Sequence, residues 1–197
     1  MAALSLAAKD PISAALESYN SVDTYAVTLN SGNGSEVIRY FYKRPGFIRM
    51  EFIRPHKGAV LVYDPLKREV SLRPFGFFKP FVLRLKPDDY LIKSSEGHTV
   101  DKSDIGELLR TIDTLRKDGR VDVVGDEKVR GRETAVVEVE GKPQDPSGKS
   151  RYILWLEKET MLPLKVESFD NSGKAEEVLM EDLEVNPVLP DGLFTMD

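Results

Sequence analysis

The chain has 197 residues, of which 41% are hydrophobic and 31% charged, with no cysteine and a formal net charge of −5. This length suits one domain with its own core. The acidic balance disfavours nucleic acid, whose phosphates would repel it, and the lack of thiols excludes disulfides, thiolate metal sites and a cysteine nucleophile.

Residues 1–9 read either as the tail of a secretory signal around its cleavage site or as a short disordered start, and residues 10–197 as a single domain. A lipid anchor lost with such a signal stays open. Asp10-Pro11 predicts a helix start, because Asp accepts a first-turn N–H and Pro suits the first helical position. Ile12, Ala15, Leu16 and Tyr19 form its apolar face. Alternation then predicts strands from Thr24 to Leu29, Val37 to Arg44, Phe47 to Arg54, Ala59 to Tyr63 and Glu69 to Leu72. The stretch from Arg73 to Pro87, broken by Pro74, Gly76 and Pro80, predicts a loop and a short helix. Asp104 and Glu107 have capping-box-like spacing. The helix they open carries Ile105, Leu108, Leu109, Ile112 and Leu115 as its stripe. Five further strands follow: Val121 to Val124, Lys128 to Val139, Arg151 to Glu157, Leu162 to Phe169 and Glu176 to Val185. Sequential hairpins imply an antiparallel sheet, and a sheet of about ten strands must curl or split. The expected fold is mainly β, with two helices on the concave face.

Catalytic signatures are scarce. His56 and His98 sit in polar, turn-like contexts without a second histidine at metal spacing. No nucleophile elbow, phosphate loop or zinc-protease motif occurs. The expectation is a non-enzyme without metal or cofactor. An inward-facing carboxylate pair would revive an enzyme reading.

The informative constellation is Lys43-Arg44-Pro45-Gly46-Phe47-Ile48-Arg49-Met50-Glu51-Phe52. Tyr40, Tyr42 and Arg44 share one face of a strand. Beyond the Pro-Gly corner, Ile48, Met50 and Phe52 share the next. For each of these residues a plain core position is the competing reading. The segment resembles the Lys-Arg-Pro…Phe-Arg-Trp signature of the LolA-like family of outer-membrane lipoprotein carriers. Val129 to Glu133 with Ala135 to Val139, Leu154 to Lys165, Phe169 to Gly173, and Asn186 to Phe194 resemble later stretches of that family, in order. Met50 stands where the family has Trp, and residues 73–87 are richer in Phe, which puts the particular cargo in doubt.

The resemblance implies a half-open antiparallel β-barrel covered by helices, enclosing a cavity for lipid or lipoprotein acyl chains in the periplasm. It also implies an inner-membrane donor, an outer-membrane acceptor and a monomeric carrier. The expected lining is Tyr40, Tyr42, Ile48, Met50, Phe52, Phe75, Phe77, Phe78, Phe81 and Trp155, and Arg44 is the matching lid or gating position. The Phe-rich insert either plugs the barrel mouth or, if exposed, marks a docking surface for membrane or partner. The alternative function is an envelope sensor or protein-interaction domain of the same fold without lipid cargo.

Overall fold

The structure, a computed structural model, describes residues 10–74, 81–92, 99–143, 148–170 and 172–196. Helix α1 (Pro11–Asn20) is capped by Asp10, whose carboxylate accepts the Ser13 N–H at 2.8 Å. Helix α2 (Ile105–Leu115) is capped by Asp104, which accepts the Gly106 and Glu107 N–H groups. The strands are β1 (Thr24–Ser31), β2 (Glu36–Lys43), β3 (Phe47–Arg54), β4 (Val60–Asp64), β5 (Glu69–Arg73) and β6 (Leu83–Leu85) in the first half. The second half contributes β7 (Arg120–Val129), β8 (Arg132–Glu140), β9 (Arg151–Glu157), β10 (Pro163–Asp170) and β11 (Gly173–Val185).

All eleven strands form one antiparallel sheet in the order β6-β5-β4-β3-β2-β1-β11-β10-β9-β8-β7. The first strand therefore pairs with the last, while β6 and β7 end the sheet without pairing to each other. This is a half-open barrel, as expected from the run of hairpins.

Two predicted elements differ. Residues 83–85 form an edge strand against β5, not a helix. Alternating Leu83 and Leu85 suffice for a three-residue strand once β5 offers free backbone groups. The single strand expected from Lys128 to Val139 is two, split at Arg130-Gly131. Both residues are left-handed, at φ 50° and 83°, the conformation that two-residue hairpin turns require.

Register aligns the concave face in rows. Tyr25, Tyr42, Ile48, Tyr63, Val70 and Leu85 face one another across β1 to β6. The next row is Val27, Tyr40, Met50, Leu61, Leu72 and Leu83, followed by Leu29, Ile38 and Phe52. Leu109, Ile112 and Leu115 of α2 join Val137, Val139, Tyr152 and Leu154 of the second half in the same core. Gly106 lets the two helices approach: a Cβ there would lie 2.1 Å from Tyr19 Cε1.

Candidate functional site

The concave wall has two regions of different character. Under the helices it is filled. The Tyr25 ring stacks on Tyr40 (centroids 5.8 Å apart, planes 7° apart) and on Tyr42 (5.0 Å, 13°), and Tyr19 of α1 tilts against Tyr42 at 6.2 Å. Each hydroxyl that reaches α2 meets a polar group at its start. Tyr19 Oη donates to Asp104 Oδ1 at 2.7 Å, Tyr25 Oη accepts from the Ile105 N–H at 3.2 Å, and Tyr40 Oη lies 3.1 Å from Ser103 Oγ. Burial is the leading cause that pushes the Tyr19, Tyr25 and Tyr40 hydroxyls above the ordinary tyrosine range. They therefore remain neutral hydrogen-bonding groups at any physiological pH.

Arg44 joins the wall to the other helix. Its guanidinium donates to the carbonyls of Tyr19, Asn20 and Val22, at 2.8–3.3 Å, and lies 3.6 Å from Asp23. The last turn of α1 contains no basic residue. Arg44 supplies the positive charge that a helix C-terminus favours, and it adds donors to the carbonyls of Tyr19 and Asn20 and to that of Val22 just beyond the helix.

Away from the helices the wall is half-buried. Met50, Phe52 and Leu72 pack against the core while remaining partly exposed, and Leu83 is exposed to a similar degree. These residues form an apolar mouth at the end of the barrel where β3 and β5 finish and β6 begins. Phe81 enters that region with half of its surface exposed (50%).

Of the predicted lining, Met50 and Phe52 share this mouth, and Phe81 lies exposed two residues before β6 at the same end. Tyr40, Tyr42 and Ile48 are packed to 6% exposure or less. Tyr40 and Tyr42 stack on Tyr25, and Tyr40 reaches Ser103 just before α2, so these side chains are committed to packing beneath the helices. Trp155 requires a correction. It lies on the opposite, convex face, across from Val136 on β8 and Lys165 on β10. Its indole N–H donates to Glu127 at 2.7 Å, and the Lys165 ammonium sits 4.3 Å from its ring centroid. The inward residues of β9 are Tyr152, Leu154 and Leu156. Phe75, Phe77, Phe78 and His98 lie outside the described residues. Sequence reasoning missed Leu72 and Leu83. Their alternation was visible, but the pairing that brings them beside Met50 was not.

Two further clefts among the described residues carry charged side chains at their walls. One, of about 670 Å³, is lined by Arg120, Glu140, Arg151 and Asp170 and opens to solvent, so its size would admit a lipid tail but its charges would not reward one. The other lies along α2, beside Glu107, Arg110 and Lys149. No group of metal-ligating side chains occurs among the described residues.

A half-open barrel with two helices against its concave face defines the class: a LolA-like fold, as the motifs indicated. Among solved structures, the lipoprotein LppX of Mycobacterium tuberculosis superposes with a TM-score of 0.59 at 11% identity, covering 92% of this chain and 96% of that one. LprF of Mycobacterium bovis gives 0.59 at 12% identity, covering 91% and 93%. MucB gives 0.52 at 16%, covering 95% of this chain but 62% of the longer MucB chain. Likeness at these identities establishes the fold. A family model described as "Uncharacterized protein" matches residues 97–184. No curated protein matches the sequence.

Proposed function

We propose that this protein binds lipid or lipoprotein acyl chains without catalysis and carries them in the bacterial envelope, in the periplasm. The observation that supports this most is the apolar mouth of Met50, Phe52, Leu72 and Leu83, half-buried where Tyr40, Tyr42 and Ile48 of the same wall are fully packed. Burying methylene groups yields about 0.8 kcal/mol each, so a 16-carbon tail grosses roughly 12 kcal/mol before ordering costs. Such affinity needs no set of polar contacts, only an apolar and deformable wall. Met50 is unbranched and suits that task.

The packed tyrosine stack limits how deep a tail can reach while the helices stay docked. A longer chain requires α2 to lift, and the hydroxyl bonds to Asp104, Ile105 and Ser103, with the Arg44 bonds to α1, are the contacts that resist lifting. Loading and release would then be governed by those bonds, with an inner-membrane donor and an outer-membrane acceptor as partners. Native mass spectrometry of gently purified protein tests the reading. Bound species with acyl-chain masses, lost on delipidation and regained on adding fatty acid, are expected. A protein that carries none and regains none would refute it.

A further inference from the structure

The charge of this chain is divided unevenly along its sequence. Residues 36–92 hold twelve Lys and Arg against six Asp and Glu, a net of +6. Since the whole chain carries −5, the remainder carries −11. Because β2 to β6 are consecutive in both sequence and sheet, the strands of this positive segment form one continuous side of the barrel. The same side bears exposed large hydrophobic residues, of which Ile53 and Phe81 lie at the mouth end while Leu66 lies in the β4–β5 turn at the other.

At the mouth end, basic and apolar groups interleave. The end of β3 presents Ile53 (40% exposed) and Arg54, and the β3–β4 turn presents Lys57, both cations being exposed. Arg73 ends β5 at the same level, across from Val60 at the start of β4, and its Nε is buried without a hydrogen-bond partner. Phe81 precedes β6 there. No ion pair among the described residues engages Arg54, Lys57 or Arg73.

We infer that this rim docks the protein on an anionic phospholipid membrane, with Ile53 and Phe81 entering the headgroup boundary and Arg54, Lys57 and Arg73 meeting lipid phosphates. The occupant follows from charge complementarity. A positive rim on an acidic protein selects a negative surface, and the strongly acidic half turns the molecule so that this rim leads. Exposed apolar residues beside cations suit a bilayer interface, which offers both environments within a few ångströms. In this orientation the apolar mouth faces the bilayer, the direction from which a lipid tail would arrive. The inference stands without the acyl-binding reading, since docking needs only the rim.

The test is cosedimentation with vesicles of equal phosphatidylglycerol and phosphatidylcholine, against vesicles of phosphatidylcholine alone. The wild type is expected to bind the first, to release as salt rises, and to ignore the second. Arg54→Glu/Lys57→Glu should weaken binding at least about tenfold. Arg68→Glu/Lys86→Glu, the same charge change at the opposite end of the same half, should weaken it much less. Equal loss in both pairs, equal binding to both vesicle types, or no binding to either overturns the assignment. Fatty-acid uptake in solution by the Arg54→Glu/Lys57→Glu variant reads the acyl-binding proposal separately.

Discussion

The Tyr19 hydroxyl donates to Asp104 Oδ1 at 2.7 Å, and through this one oxygen the last turn of α1 is tied to the cap of α2. The same oxygen accepts the N–H groups of Gly106 and Glu107, at 2.7 and 3.1 Å. Asp104→Ala removes a helix cap and strands a buried hydroxyl, so it is expected to cost about 2–3 kcal/mol. Asp104→Asn, which keeps an acceptor, should cost less than half of that. Urea denaturation of the two variants checks the ranking.

Gly106→Ala should destabilise the fold by about 1–3 kcal/mol through overpacking, although alanine is the better helix former by about 1 kcal/mol. The added Cβ would meet Tyr19 Cε1 at 2.1 Å and Asp104 Oδ1 at 2.8 Å. That ring cannot swing aside without losing its hydroxyl bond. In a Tyr19→Leu background the same change should lose much of its cost, a coupling that a double-mutant cycle measures.

The buried tyrosines predict an alkaline limit. Burial raises Tyr19, Tyr25 and Tyr40 above the ordinary value of 10.0, so the folded state keeps protons that the unfolded chain releases. Their contribution is fully present below pH 10.0 and is lost as pH climbs beyond it toward the folded values. Chemical denaturation across that range should show falling stability above pH 10.0, and Tyr25→Phe/Tyr40→Phe should flatten the fall.

Arg44→Leu removes donors to two carbonyls in the last turn of α1 and one just beyond it. An expected loss of about 1–3 kcal/mol follows from leaving charge-assisted bonds unmade. If those bonds resist lifting of the helices, the variant should also change lipid retention, measured as the half-time of exchange with vesicles. Unchanged exchange would make Arg44 a helix cap and nothing more. Arg44→Lys should rescue only in part, because one ammonium cannot reach three carbonyls as a planar guanidinium does.

Much of this architecture was legible in local pattern. Asp10-Pro11 and the spacing of Ile12, Ala15 and Tyr19 marked α1, and alternation from Tyr25 to Phe52 marked three strands with the correct inward face. Trp155 was not legible, because β9 is apolar on both faces: Tyr152, Leu154 and Leu156 point one way, Ile153 and Trp155 the other. What assigns the indole to the convex side is Glu127 and Lys165, contributed by two other strands. The contact of Tyr25 with Ile105 joins residues 80 apart in sequence, so no local pattern exposes it. The tyrosines could be read as inward and as core, but not as residues whose hydroxyls meet the start of α2.

Titration of a fluorescent fatty acid, whose emission rises in an apolar site, tests the central claim most directly. Wild-type protein should give a saturable rise with one tail per chain, and Met50→Arg, folded by circular dichroism, should abolish it by placing a charge in the mouth. A folded wild type that leaves the probe dark, or a Met50→Arg variant that binds it equally well, would contradict the account.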